Sequence, residues 1–336
     1  MTAEQAARRW RERRTAQARR DVELETFPTT AGSKSKNAHP MFGGQGRSPH
    51  VPVAGGSGDL CLVVASFFAS DSSKERADYV CPTWFGNDAV IQGAIDRLTN
   101  NGNIAFDTDQ PGRIMLTEGS FYLDQTVTVK GCEIEGVSGY DAGTVIYSNE
   151  EITGPLFLVD TDRGGRFANL YIEGGFAENI RVQGDAIENA KGVWIQDCVI
   201  SAAIDAAVVL DKAYDVWVKD CHIKFSSGGI DIRDSENIRV DGCTFPDGHP
   251  GVKVDGDCLR IWITDNQFSG AATPREDQLV VESGATEVFV TGNVTNQDAA
   301  ITASLSVVSG NVFDDATLSL TTSIDGPNII NGVVVP

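Results

Sequence analysis

The sequence lacks the features of several large classes of protein. Its apolar stretch Leu60–Phe68 is far shorter than the ~20 residues that a membrane-spanning helix needs. The arginine-rich start is not followed by the hydrophobic region of a secretory signal. Seven cysteines occur without a CxxC pair, and no Ser-His-Asp order, phosphate-binding loop or metal-ligand spacing stands out. We therefore expect no membrane insertion, no cleaved signal, no metal and no cofactor.

Positive charge is scarce outside the N-terminal part of the chain. The formal net charge is −20, from 27 Lys and Arg against 47 Asp and Glu. Residues 1–57 hold 10 basic and 5 acidic residues, so residues 58–336 hold 17 basic and 42 acidic ones. An acidic body repels phosphate backbones, which argues against nucleic acid as its partner.

An eight-residue motif returns along the chain at nearly constant spacing. It occupies residues 193–200, 216–223, 238–245, 261–268 and 288–295, with a shorter echo at 308–313. The first four starts are separated by 23, 22 and 23 residues, and the next by 27. A fixed period in this range predicts a solenoid, in which each repeat buries its apolar face only by stacking on its neighbours.

Each motif alternates apolar and polar residues, which is the pattern of a half-buried strand. A second short strand follows in each repeat, at 207–210, 229–232, 251–254 and 278–281. This spacing leaves no room for a crossover helix, so the sequence predicts an all-β parallel β-helix. Equivalent strands then lie about 4.8 Å apart along the axis.

A short amphipathic helix is predicted to cover the open first coil. Asn87 and Asp88 form a helix start, and an apolar stripe follows at helical spacing, made of Val90, Ile91, Ala94, Ile95 and Leu98. Asn101-Gly102 forms the stop. We place the cap helix at 88–100, irregular first coils after it, and the regular coils at about 165–315.

Four segments carry a resemblance to a known superfamily: Ala77–Cys81, Val90–Asp96, Arg113–Leu123 and Val129–Gly136. They resemble the opening of pectate-lyase-like right-handed β-helix proteins, in the version found in bacteriophage tail proteins and tailspikes. The resemblance covers roughly residues 59–336 and implies a right-handed helix of coils. The chain departs from the pattern at Pro82–Gly86, where relatives usually have an acidic, glycine-bearing segment.

The resemblance implies a fold more strongly than an activity, since the superfamily contains lyases, hydrolases and non-catalytic virion proteins. For tailspike-like relatives it implies a homotrimer. The residues themselves predict only a symmetric oligomer through a shared patch.

Residues 1–57 read as a basic arm and linker, separate from the body at 58–336. The basic residues and one indole cluster at its start: Arg8, Arg9, Trp10, Arg11, Arg13 and Arg14. Taken alone, the arm has the composition of a disordered tail. The resemblance to virion proteins, which often attach by such arms, favours a virion-anchoring segment that orders on an acidic partner.

The cysteines follow the repeat. Cys198, Cys221 and Cys243 occupy one position of successive motifs, and Asn266, Asn293 and Asn311 occupy it afterwards. We expect one inward-facing column, with Cys as a small buried hydrophobe and Asn bonded to turn backbone. Reduced thiols fit assembly in a host cytoplasm.

The middle residue of each motif is predicted to face outward, because the residues on either side of it face the core. This aromatic column consists of Trp194, Trp217, Arg239, Trp262 and Phe289. Three explanations are ranked in this order: an interface between subunits, a platform for carbohydrate rings, and a surface covered by the chain's own loops, such as 270–277.

Enzymatic hydrolysis of a glycosidic bond needs two carboxylates, one on either side of the bond. On the second strand Asp231 and Lys253 face outward, most simply as an ion pair between coils. The candidates for a glycosidase or a calcium-dependent lyase are Asp231, Arg233, Asp234, Asp255 and Asp257. Because the chain holds 47 acidic residues and turns favour Asp, chance proximity is the favoured explanation of such a set.

The function favoured at this point is that of a phage tail or tail-tip structural protein. It would be anchored to other virion tail proteins by its arm and would contact host-surface polysaccharide. A polysaccharide depolymerase of lyase or hydrolase type is the alternative. A secreted carbohydrate-binding β-helix is a third, and the missing signal argues against it.

Overall fold

The computed structural model describes residues 61–100, 112–137, 143–149, 152–160, 164–174, 177–184, 191–224, 226–246, 250–269, 277–296, 298–303, 306–313, 318–320, 323–326, 328–330 and 333–335. The predicted arm and its anchoring residues, Arg8, Arg9, Trp10, Arg11, Arg13 and Arg14, lie outside these ranges.

Three long sheets run side by side through the described residues. Sheet A has twelve strands: Cys61–Ala65, Tyr79–Val80, Gly112–Leu116, Cys132–Gly136, Gly165–Ala168, Lys191–Gln196, Tyr214–Lys219, Glu236–Asp241, Leu259–Thr264, Thr286–Thr291, Ser306–Ser309 and Ser323–Asp325. Sheet B has eleven: Gly119–Leu123, Thr144–Ser148, Tyr171–Glu173, Val199–Ser201, His222–Lys224, Thr244–Phe245, Gln267–Phe268, Val294–Thr295, Val312–Phe313, Asn328–Ile330 and Val333–Val335. Sheet C has nine: Val127–Val129, Phe157–Val159, Ile180–Gln183, Ala206–Asp211, Gly228–Arg233, Val252–Asp255, Leu279–Val281, Ala299–Ile301 and Leu318–Leu320.

The order of strands confirms the predicted parallel β-helix. The chain visits sheets A, B and C in turn, and each strand pairs in parallel with its equivalent one coil away. Among the described strands, the pair Asn328–Ile330 and Val333–Val335 is antiparallel. Hydrogen bonds therefore run between coils, so each coil depends on its neighbours for its backbone partners.

The core lies inside the three sheets and follows the predicted alternation. Val193, Ile195, Val216 and Val218 are fully buried, and so are their equivalents in the next coils. The rings of Phe245 and Phe268 stack inside at 4.9 Å between centroids and 7° between planes.

Two helices occur in the described part of the chain, Asp71–Lys74 and Asp88–Asn100. The second confirms the predicted cap, since Ile91, Ala94, Ile95 and Leu98 are buried against the first coil. Neither helix combines the length and apolar character that a membrane span requires. The predicted stop at Asn101-Gly102 lies outside the described residues.

The start of the cap helix differs from the expectation in one respect. The side-chain oxygen of Asn87 accepts a hydrogen bond from the backbone N–H of Tyr122 at 2.9 Å, in the first strand of sheet B. The N–H of Asn87 in turn donates to the carbonyl of Tyr122 at 2.9 Å. Asn87 thus joins the helix start to the exposed edge of that strand.

The column of cysteines and asparagines is confirmed. Cys198, Cys221 and Cys243 are buried, free thiols, and the asparagines that follow are buried on the same line. The side-chain oxygen of Asn293 accepts from the backbone N–H of Asn266 at 3.0 Å, and the next asparagines repeat this bond. The column continues to Asn328, one coil further than the motif predicted.

Candidate binding surfaces

The aromatic column lies on the outer face of sheet A, as predicted. The register pairs Trp194 with Trp217, Trp217 with Arg239, Arg239 with Trp262, and Trp262 with Phe289. At ~4.8 Å per coil, these five side chains form one line about 19 Å long.

The five side chains contact one another without a gap. The indole centroids of Trp194 and Trp217 are 4.2 Å apart, and those of Trp262 and Phe289 are 5.6 Å apart with planes 8° from parallel. The guanidinium carbon of Arg239 lies 4.7 Å from the Trp217 centroid and 4.9 Å from the Trp262 centroid. One cation thus lies between two pairs of aromatic rings, at distances where the negative ring faces attract it.

This mutual stacking determines what the aromatic column offers to a partner. Arg239 lies over the rings of both Trp217 and Trp262, Phe289 stacks on Trp262, and Trp194 contacts Trp217 at an angle of 41° between planes, so each of these two indoles has a neighbour in both adjacent coils. Trp194 is 37% exposed and Arg239 is exposed, whereas the other three members are partly buried. A sugar that stacks on an indole needs a free ring face, which the middle of the column does not provide. The loop 270–277, predicted as a cover, lies largely outside the described residues.

Polar side chains border the aromatic column on both sides. One border holds Gln196, Lys219, Asp241, Thr264 and Thr291, aligned by the same register. The other holds Asp215, Asn237, Arg260 and Glu287, all at positive φ. Bonds between coils fix these borders, such as Asn237 to Asp215 at 2.7 Å and Thr264 to Asp241 at 2.8 Å. An apolar centre with a polar rim is the usual anatomy of a protein interface.

The sequence did not reveal that the outward column continues as charged residues in earlier coils. The register places Arg113, Glu133 and Arg166 in line before Trp194. Glu133 bonds Arg113 at 3.2 Å and Arg166 at 3.5 Å. These strands lack the repeated motif, so periodicity alone did not point to them.

The predicted catalytic candidates fall into two groups, of which the first lies on the outer face of sheet C. Asp231 pairs with Arg233 of its own strand, with Arg233 Nε 3.0 Å from the carboxylate. Lys253 pairs with Asp255 at 3.1 Å and with Glu282 at 3.3 Å. The predicted ion pair between Asp231 and Lys253 was therefore wrong. Asp231 pairs with Arg233, two residues along its own strand. Lys253 pairs with Asp255 on its own strand and with Glu282 in another coil.

The second group consists of turn residues. Asp234 has a φ of 46°, and its carboxylate accepts the backbone N–H of Asp257 at 3.0 Å in the next coil. Asp234 and Asp257 therefore have a structural role in a turn, where Asp tolerates the left-handed conformation. Val209, which lies one coil earlier in register with Asp231, is 1% exposed.

The electrostatics of the sheet C group suit ion pairing. The hydrogen bond that Arg233 donates to Asp231 raises the pKa of Arg233, while an arginine acting as a base would need a lowered pKa. The hydrogen bond from Lys253 lowers the pKa of Asp255, while a general acid would need a raised one. One atom stands apart: Asp231 Oδ1 is buried and has no hydrogen-bond partner.

In the part of the chain that the structure describes, no three His, Cys, Asp or Glu side chains come together in a way that could hold a metal ion. The described surface thus offers two candidate sites: the aromatic column on sheet A and the ion pairs on sheet C.

The sequence matches the family model described as right-handed β-helix region over residues 123–313. The chain belongs to the right-handed β-helix family. This assignment confirms the right-handed β-helix that the resemblance implied. No curated protein sequence matches the chain.

Several solved structures share this right-handed β-helix. DFA-IIIase from Arthrobacter chlorophenolicus A6 in complex with GF2 has a TM-score of 0.52 and 18% identity, covering 67% of this chain and 63% of that one. Endo-xylogalacturonan hydrolase from Aspergillus tubingensis has a TM-score of 0.50 and 14% identity, covering 78% and 75%. ORF18 of Geobacillus virus E2 has a TM-score of 0.46 and 15% identity, covering 71% and 57%.

This β-helix chain spans less than two thirds of the length of ORF18 and of DFA-IIIase. At such identities the likeness to DFA-IIIase and to the endo-xylogalacturonan hydrolase shows a shared fold.

Proposed function

We propose that this chain is a structural protein of a bacteriophage tail or tail tip, which binds host-surface polysaccharide without cleaving it. The aromatic column is its contact with further copies of the chain in a homotrimer. The continuous line of four aromatic rings and Arg239 on the outer face of sheet A carries the proposal. The resemblance of residues 77–136 to the opening of phage tail proteins supports the virion assignment.

An interface fits the aromatic column better than a sugar platform does. Aromatic residues and Arg are enriched where protein surfaces meet, and an exposed apolar line with a polar rim favours association. Because Arg239 lies against the rings of both Trp217 and Trp262, and Trp194 and Phe289 contact them from the other neighbouring coils, a flat sugar ring finds no free face there. A second protein surface can still pack along the whole line. The three-fold count comes from the resemblance to tailspike-like proteins.

The N-terminal arm is proposed as the attachment to other virion tail proteins. Its support is the cluster of five arginines and Trp10 within residues 8–14. Deleting residues 1–25 is expected to prevent incorporation into virions while the body stays folded. Normal incorporation of the deleted chain would refute this part of the proposal.

The proposal of binding without cleavage is tested directly with substrate. Purified protein is incubated with capsular and cell-wall polysaccharides, and their chain length is followed by size-exclusion chromatography. We expect unchanged chain lengths. Shortened products or new unsaturated ends would favour the depolymerase instead.

One observation favours the depolymerase as a second candidate. Asp231 Oδ1 is buried without a partner, and such a group is costly unless a ligand or water satisfies it. If cleavage is detected, Asp231→Asn should abolish it and Asp257→Asn, which alters a turn residue, should not. Equal cleavage activity of the two variants would show that the active site does not lie on sheet C.

A further inference from the structure

The segment Pro82–Gly86, where the chain departs from its relatives, forms an exposed aromatic turn before the cap helix. Trp84 is 47% exposed and Phe85 is 49% exposed. In the described residues Trp84 is thus the most exposed tryptophan, ahead of Trp194 at 37%. Two large rings held in water are unfavourable, so a position of this kind calls for a specific use.

The turn is held rigidly by its own hydrogen bonds. The hydroxyl of Thr83 donates to the carbonyl of Phe85 at 2.6 Å, and the amide of Asn87 donates to the carbonyls of Thr83 and Phe85 at 3.0 and 3.3 Å. Gly86 has a φ of 68°, a conformation that favours glycine. A surface fixed in advance loses little conformational entropy when it binds a ligand.

Two tyrosines of sheet B continue the ring contacts inward from the exposed turn: Tyr122 is buried at 7% exposure, and Tyr147 is partly buried. Trp84 contacts Tyr122 at 5.6 Å between centroids and 84° between planes, and Phe85 at 5.3 Å and 87°. Tyr122 then stacks on Tyr147 at 4.9 Å. Both contacts of Trp84 are edge-to-face, so no described ring stacks parallel to the indole, in contrast to Trp262, on which Phe289 stacks.

A carboxylate and an amide lie beside the aromatic turn. Asp124 Oδ2 would be 3.3 Å from a Cβ placed on Gly86, so the carboxylate borders the turn. Asp124 Oδ1 accepts a hydrogen bond from the amide of Asn149 at 2.6 Å, and the Asp124 N–H donates to Asp88 at 2.9 Å. We name this set of six residues the cap platform: Trp84, Phe85, Tyr122, Asp124, Tyr147 and Asn149.

We propose that the cap platform is a carbohydrate-binding site, at which a sugar ring packs on Trp84 and its hydroxyls bond Asp124 and Asn149. An indole beside oriented polar groups matches a sugar, which has an apolar C–H face and a rim of hydroxyls. The carboxylates of Asp124 and Asp88 disfavour anionic sugars, so the ligand is a neutral glycan. This inference rests on the proposed function, because it places the polysaccharide contact on the cap platform.

Glycan-array binding of the purified full chain tests the site, with printed neutral and acidic bacterial polysaccharides as the probes. Trp84→Ser is compared with Phe67→Ser, which removes a ring exposed at 37% that neighbours Phe68 and Lys74. Asp124→Asn is the third variant. Melting curves establish that each variant is folded.

We expect the wild type to bind neutral polysaccharides in preference to acidic ones. Trp84→Ser should weaken binding at least about tenfold, as loss of a main anchor does, and Asp124→Asn should weaken it less. Phe67→Ser should bind like the wild type. Unchanged binding by a folded Trp84→Ser variant would overturn the site but leave the proposed polysaccharide contact standing. Absence of binding by the wild type would overturn both.

Discussion

The guanidinium of Arg239 lies 4.7 Å from the ring centroid of Trp217, and on its other side it meets Trp262 at 4.9 Å. One cation thus connects the two aromatic halves of a line that crosses five coils. The arrangement makes Arg239 part of the packing of sheet A as well as of its surface.

Arg239→Gln should lower the free energy of unfolding by about 1–2 kcal/mol, because it removes two cation–π contacts worth about 0.5–1 kcal/mol each. Lys219→Gln is the matched control. Lys219 lies in the polar border beside the aromatic column, two residues after Trp217, and makes an exposed ion pair with Asp220 at 3.8 Å. That change should cost less than about 0.5 kcal/mol. Denaturant titration measures both, and equal losses would show that the ring contacts contribute nothing.

Asn293→Ala should destabilise the chain by about 2–4 kcal/mol, because it leaves buried backbone groups without partners. Asn293 accepts from the N–H of Asn266 at 3.0 Å and donates to the carbonyl of Ile263 at 2.8 Å. Gln267→Ala removes an exposed amide next to the same turn and should cost less than about 0.5 kcal/mol. A loss below 1 kcal/mol for Asn293→Ala would contradict a structural role for the asparagine column.

Gly251→Ala and Gly93→Ala should have opposite effects on stability. A Cβ on Gly251 would lie 2.6 Å from the ring of Phe268, which is stacked on Phe245 and has no room to shift. We expect a loss of about 1–3 kcal/mol. A Cβ on Gly93 meets nothing within 4 Å, so Ala there should stabilise the cap helix by about 0.5–1 kcal/mol. Thermal melting of both variants checks the signs, and destabilisation by Gly93→Ala would contradict the described helix.

Cys61 should react with a thiol reagent far faster than the other six cysteines in the native protein. Cys61 is exposed and the others are buried. Burial raises the pKa of Cys81 and of Cys132 to about 12, and the thiolate is the reactive form. Counting labelled thiols by mass spectrometry at pH 8 should give one before unfolding and seven after it. Rapid labelling of Cys198 or Cys221 in the native state would contradict the inward column.

The sequence predicts correctly the placement of side chains that recur at the same position in successive coils. Trp217 and Trp262 were placed on one outer line because strict alternation and a constant period leave a single register. The same reasoning placed Cys198 and Asn293 inside. The same period does not predict Asn328 as a member of the column, because the later coils are shorter. Asn311 follows Asn293 by 18 residues, and Asn328 follows Asn311 by 17.

Contacts that depend on rotamers or on distant segments could not be predicted in this way. Asp231 had neighbours at similar spacing on its own strand and in the next coil, and the structure pairs it with Arg233. The cap platform joins Trp84 to Tyr122 and Asn149, which lie far outside the repeating period. Its only sequence signal was the unusual segment Pro82–Gly86.

The central claim is that the aromatic column joins copies of this chain, and the mass of the assembly tests it most directly. Multi-angle light scattering should give the mass of three chains for the wild type. It should give that of one chain for the double variant Trp217→Ser, Trp262→Ser with its far-ultraviolet spectrum unchanged. Trp84→Ser, which removes an exposed indole outside the column, should leave the mass at three chains. A wild type with the mass of one chain, or a double variant that keeps the mass of three, would contradict the account.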